Sequence, residues 1–495
     1  MYEFMLAISV VLFLGIAVYY VRHRAASMFH PVTFYLMFHG LIFVVRPLFA
    51  WAYNFHVMYD VIGFQPDLWH KTTVLICTNL ALVVFTFVGL HIGGDAPPFR
   101  QSVEEREHRA DLLRGFWPWA AVIAALGLWA VITGLQFMSS GDLSQIREID
   151  SRTGAGRLVG VSGYFLSLPL MLASLVAIIV YLGRFRAWTF AIFGIYALLK
   201  LGTGGRGQVV AAAVMIALFY LFDRRQKWPG MTIVLAALAG FFLFGQIGAD
   251  RGAGIRTLIG LENTRQVQLR AHVEEKPLET MDLANMEFFE YLVWAVPERT
   301  GTHEYFVHNL QILTEPIPRA LWPGKPVGPP IRMYDLYRYA QPLGATNSMP
   351  GTGWVAMGFA GVVIWSAFFA FLYCGAYRLF ARSRAGNLAV VSYVVFVSTS
   401  VVVFRDGELM SILKGLQFYF VPVLALLGVA IYLGRQAGTY PQGAGALAGI
   451  AVDARTRRRR LAERNTLPSA GEPTSSAPDP NSPRARRLAR AAGQS

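Results

Sequence analysis

The sequence predicts an all-α polytopic integral membrane protein with about eleven transmembrane helices and one large extracytoplasmic loop, the N-terminus outside and the C-terminus inside. Three observations lead there. Hydrophobic residues fill 55% of the 495 positions and charged residues 15%, where a soluble chain carries about a quarter charged. Apolar runs of about 17–25 residues recur along most of the chain, the length a helix needs to cross a bilayer, and the alternating segments of a β-barrel are absent. Arginine and lysine gather in every second short loop, as cytoplasmic loops require.

The runs place helices at 3–21, 31–52, 70–92, 116–135, 158–182, 187–201, 208–222, 229–247, 353–377, 387–404 and 415–434. The first run lacks a basic leader and a small-residue cleavage site, so it reads as a retained helix. Arg22 and Arg24; Arg100, Arg106, Arg109 and Arg114; Arg184 and Arg186; Arg224, Arg225 and Lys227; and Arg382 and Arg384 all fall on the cytoplasmic side of this arrangement. Four regions result: helices one to eight over 1–247, a periplasmic loop over 248–352, helices nine to eleven over 353–435, and a tail over 436–495. The loop is too long for a simple connector. Within it "MEFFEYLVWAV" (286–296) is too short to span and reads as an interfacial helix. The tail, with ten arginines against four acidic residues from 452 onward, is too polar to bury a core. Net charge is +14, which in such a chain points to anionic lipid and away from nucleic acid. Cys77 and Cys374 sit inside apolar runs, with no metal-ligand spacing and no expected disulfide.

Chemistry is expected on the outer side. In "YALLKLGTGGRGQVVAAAVM" (196–215) a glycine turn carries Arg206, with Lys200 before it. The flanking helices reach only about 22 Å each, against a hydrocarbon core of about 30 Å. The turn therefore lies below the outer surface, where irregular backbone must line protein or water. Free N–H groups, a helix start and a guanidinium together suit a phosphate. The alternative is that tilt or local thinning brings Arg206 to the headgroups. Arg46 in "FVVRPLF" and Arg405 in "VVVFRDGEL" fall at similar depth; each alone reads as a headgroup-binding residue, and together with Arg206 they suggest a shared anion site.

The long loop contains "PIPRALWPGKP" (316–326), whose prolines stiffen a segment that presents Arg319 and Lys325 beside Trp322. This string, the downstream "SMPGTGWVAMGFAGVV", the "TGGRG" turn and "FRDGELMSILKGLQFYFVP" (404–422) resemble the bacterial oligosaccharide repeat-unit polymerases, the Wzy-type O-antigen polymerases, over about residues 30–435. The resemblance implies a membrane glycosyltransferase in the bacterial inner membrane. Its donor is a glycan on undecaprenyl pyrophosphate, and its acceptor is a repeat unit on the same lipid. A flippase and a chain-length regulator are partners implied only by this resemblance. An O-antigen ligase and a non-enzymatic flippase are the alternatives. A transporter is expected to show paired halves with matched broken helices, whereas only one short helix pair is visible.

The outer segments contain no Asp-x-Asp and no His-x-x-x-His, so no metal or cofactor is expected and cations must meet the departing diphosphate. Arg206 and Arg319 lead the candidates, followed by Arg405, Arg251 and Lys325. For a proton acceptor, "GTHEYFVHNL" offers His303, Glu304 and His308, and Asp335 and Asp406 lie elsewhere on the same side. In a helix Glu304 and His308 would share a face.

Overall fold

The computed structural model describes residues 1–99, 101–139, 147–149, 156–158, 167–202, 206–235, 278–279, 283–317, 321–322, 324–325, 329–340, 346–383 and 385–436. Among these, seven helices are long and apolar enough to cross a membrane, and three shorter apolar helices accompany them. The expected eighth span, 229–247, is described only as far as residue 235.

Helix α1 is Tyr2–Arg22. α2, Pro31–His39, starts at a His30 cap followed by proline. It passes through a π-helical turn, Gly40–Val45, into α3, Arg46–Tyr53. A short α4, Val57–Ile62, precedes α5, Leu68–Ile92, which opens with a reciprocal Asp67–His70 capping box. α6 runs over Val103–Ser139. It begins well before the expected 116, because the charged stretch 103–115 packs at the base of the bundle, with Leu112 and Arg109 buried. A small antiparallel pair, β1 Arg147–Ile149 and β2 Gly156–Leu158, with Arg147 opposite Leu158, follows α6 in an otherwise helical molecule. The fifth span, expected from 158, is helical as α7 over Leu170–Leu182 after Pro169. α8 (Ala187–Gly202) and α9 (Arg206–Asp223) are the short pair.

α10, Asn285–Ala295, forms where an interfacial helix was expected, but ten of its eleven residues are buried. It packs on α5, so it is a core element. α11 is Met349–Ala381, broken at Met357 and Gly358. α12 (Asn387–Ser398) and α13 (Ser400–Asp406) divide the tenth expected span at Thr399. α14 (Leu409–Tyr419) and α15 (Val421–Gln436) divide the last one before Pro422.

The packing centre is α5 against α11. Gly89 lets them approach, since a Cβ there would stand 3.0 Å from Cys374 Sγ. Loop contacts sort into two ends. At one, Arg109 donates to Asp223 Oδ1 (2.8 Å), Asn387 Oδ1 (3.2 Å) and Gln101 Oε1 (2.6 Å). Arg382 binds Asp95 (2.9 Å) and Arg24 binds the Gly94 carbonyl (2.8 Å) at this same arginine end. The other, loop-rich end gathers the start of α1, residues 46–68, α10 and its flanks, and the α13–α14 turn.

Candidate functional site

Two backbone irregularities build the site. α11 starts at Ser348, whose hydroxyl caps Gly351 N, and it breaks at Gly358 with φ +59. Gly353 and Gly361 lie back to back across the break, with no room for a Cβ at either. The break leaves the carbonyls of Val355 and Ala356 without helical partners. Glu304 N (3.0 Å) and Tyr305 N (2.9 Å) donate to them, as a broken helix end requires. This hangs "HEYF" on the broken helix, and positive φ at Tyr305 and Phe306 turns the chain toward His308. Glu304 and His308 thus meet through a tight turn. The shared helical face expected from the sequence does not form, because the helix after it, Val307–Leu310, is a single 3-10 turn.

The second irregularity is the turn between α13 and α14. Gly407, at φ +74, fits against the Ser348 carbonyl where a side chain would clash. Ser348 N and Asn285 Nδ2 both donate to the Arg405 carbonyl at 2.9 Å, and Trp365 Nε1 donates to the Gly407 carbonyl at 2.7 Å. Glu408 is thereby held 3.6 Å from His308 Nε2, with Asn347 Nδ2 at 3.5 Å. The two strings "SMPGTGW" and "FRDGEL", far apart in sequence, form one joint.

The electrostatics follow from this geometry. Burial disfavours the charged form of His308, but Glu408, with Glu304, outweighs it and holds the imidazole above its ordinary value. Burial lifts the Glu304 carboxyl; His308 opposes that rise and Glu408 adds to it. Burial and the nearby Glu304 charge raise Tyr334 as well. Several polar atoms here are buried without a hydrogen-bond partner: Arg405 Nε, His303 Nδ1, Tyr334 Oη and Thr352 Oγ1. Native interiors contain few such groups.

The remaining candidates divide. Arg206 is the first residue of α9, at the end away from Asp223. Arg319, Arg251 and the Thr203–Gly205 turn lie outside the described residues, as does the tail beyond 436. Lys325 is turned inward: its Nζ donates to the carbonyls of Glu315 (2.8 Å) and Ile317 (3.1 Å) and lies 3.8 Å from the Glu315 carboxylate. It closes its own loop. Asp335 and Asp406 both engage partners.

No known protein family, curated protein or solved structure matches this chain.

Arg46 departs from the sequence expectation. It is 1% exposed, and its Nε and Nη2 bind the Glu287 carboxylate at 2.7–3.0 Å while Nη1 donates to the Leu278 carbonyl. A guanidinium closed on a carboxylate cannot serve a headgroup or a shared anion site. The sequence reading passed over Glu287 and Glu290. Their signal was present: two acids three residues apart in an apolar eleven-residue run share one face and need buried partners.

Proposed function

We propose that this protein is a metal-independent membrane glycosyltransferase that joins polyprenyl-pyrophosphate-linked oligosaccharide repeat units, with the loop-rich end on the outer face of a bacterial inner membrane. The observation that carries the reading is Arg405. Its guanidinium has no hydrogen-bond partner among the described residues, its Nε is buried, and its backbone carbonyl is held by two separate segments, at Ser348 and Asn285. A cation held rigid and left unsatisfied is preorganised for an anion that is not always there.

His308, whose imidazole Glu408 holds above its ordinary value, adds a second hydrogen-bonding group at the same joint. We assign it as a donor to the departing diphosphate. The resemblance to repeat-unit polymerases adds Arg206 and Arg319 to the diphosphate side. Each charge-assisted hydrogen bond that strengthens as the C–O bond breaks contributes about 1.5–3 kcal/mol.

The test has a genetic and a biochemical part. Deletion of the gene should leave surface glycan of one repeat unit. Long chains kept on the lipid carrier would identify a ligase, and absence of lipid-linked glycan from the outer leaflet would identify a flippase. With purified protein and lipid-linked repeat units, Arg405→Ala should slow elongation by about 100-fold, the usual loss for one preorganised donor.

A further inference from the structure

Beside the joint lies a cavity of about 370 Å³ between α3, α4, α5 and α10, within the size range of ligand sites. We infer that it holds the attacking sugar of the acceptor glycan, a neutral hydroxyl-rich ring, and that Glu290 accepts the proton of the attacking hydroxyl. This rests on the glycosyltransferase reading above.

The charges on the cavity wall select the ligand. Arg46 and Glu287 neutralise each other. Lys71 Nζ rests 5.1 Å above the Tyr59 ring, and Tyr59 Oη donates to Glu290 Oε2 at 2.7 Å. Among the described residues the second Glu290 oxygen has no hydrogen-bond partner. A phosphate here would face Glu287 and Glu290, and an ammonium would face Arg46 and Lys71. An apolar ligand would strip water from Lys71 and Glu290 without replacing it. A neutral polyol satisfies both signs, accepting from Lys71 and donating to Glu290, and Trp51 lines the cavity as a flat apolar wall.

A purely structural role for Glu290 leaves its bonding unexplained. Glu287, one turn away, is closed by a bidentate guanidinium, whereas Glu290 is equally buried and has a single phenol. A buried carboxyl with an open oxygen beside a cavity has the geometry of a proton acceptor.

Burial lifts its pKa to about 7, with Lys71, Tyr59 and Arg46 pulling down and Glu287 pushing up. That value suits a base working near neutrality. Tyr2 from α1 and His56 before α4 are the other titratable groups on the wall.

In the reaction the acceptor oxygen attacks the anomeric carbon, the bond to the diphosphate oxygen breaks and its electron pair leaves with the diphosphate. The hydroxyl proton passes to Glu290 and later to water. The two halves of the site share one helix. Asn285, the first residue of α10, holds the Arg405 carbonyl, and Glu290 follows five residues later, about 7.5 Å along the axis.

The experiment uses the full chain in nanodiscs, with lipid-linked glycan purified from the deletion strain as the probe. Elongation is measured from pH 5.5 to 9, and labelling of Glu290 by a water-soluble carbodiimide is read by mass spectrometry. The wild-type rate should rise with pH through about 7. Glu290→Gln should lose about 100-fold in kcat together with that limb, Glu290→Asp should keep part of the rate with a shifted midpoint, and the glycan should shield Glu290 from labelling. Glu304→Gln should retain the limb near pH 7. A folded Glu290→Gln with the wild-type rate and profile overturns the inference and leaves the function standing. Shielding without elongation keeps the saccharide site and removes the polymerase reading and the proton step. Neither shielding nor elongation removes both.

Discussion

The two ends of the bundle treat buried polar groups in opposite ways. At the arginine end Asn387 Oδ1 accepts from Gln101, Arg109 and Tyr181, its Nδ2 donates twice to Glu105, and its backbone N–H donates there as well. Arg109 is closed by three partners and stacks 4.1 Å over the Tyr181 ring. Arg106 Nε is the exception at this end. At the loop-rich end Arg405, Glu290, His303, Tyr334 and Thr352 keep open donors or acceptors. Saturated networks lock loops together. Unsaturated ones, held by a backbone that is itself fully bonded, are where a ligand gains most.

Substitutions can test that contrast. The largest effect is expected at Arg46, a saturated charge at the loop-rich end. Arg46→Ala leaves Glu287 buried and alone, which costs about 3–5 kcal/mol and should appear as loss of monodisperse protein in detergent. Arg46→Met with Glu287→Leu should recover most of that loss, because the desolvated charges go together.

Next comes Glu290→Gln, with a sign that depends on pH. A carboxyl whose folded pKa lies above its unfolded value binds more protons when folded. Its stabilisation is full below about 4.5 and is lost as pH rises through about 7. The variant should therefore be more stable than wild type at pH 8, by at most about 3 kcal/mol, and equal to it near pH 4. A melt difference that does not change with pH would refute this. The residue is then worse for stability than its replacement, as expected of a functional group.

At the opposite end Arg109→Met should cost about 2 kcal/mol, less than Arg46→Ala because Asp223 is 29% exposed. Gly407→Ala should cost about 1–2 kcal/mol from its positive φ alone, more where the clash with Ser348 cannot relax, and should uncouple Glu408 from His308. The smallest stability effect belongs to Arg405→Ala. With no bond to lose it should melt within about 0.5 kcal/mol of wild type while elongation collapses. A large melt change there would make Arg405 structural.

Much of this was readable from residue order. Hydropathy gave the long helices and the short α8–α9 pair, because a bilayer imposes length and polarity directly on local sequence. The strings containing "SMPG" and "FRDG" stood out through the resemblance alone, and the acid and two histidines of "THEYFVH" were recognisable as candidates. Their meeting was not readable in this form. It needed carbonyls freed at the Gly358 break to find the N–H groups of Glu304 and Tyr305, 51 positions earlier in the chain.

Membrane-length helices and the segregation of arginine to alternate loops follow from residue order alone, because both are one-dimensional properties of polarity and spacing. Which charges are closed by a partner and which remain open is set by long-range packing. Arg46 and Lys325 looked like Arg405 in sequence, yet the first is neutralised by a carboxylate 241 positions away and the second by its own loop. A cation is available to a ligand only where folding brings it no partner, and partners are set by packing across the chain.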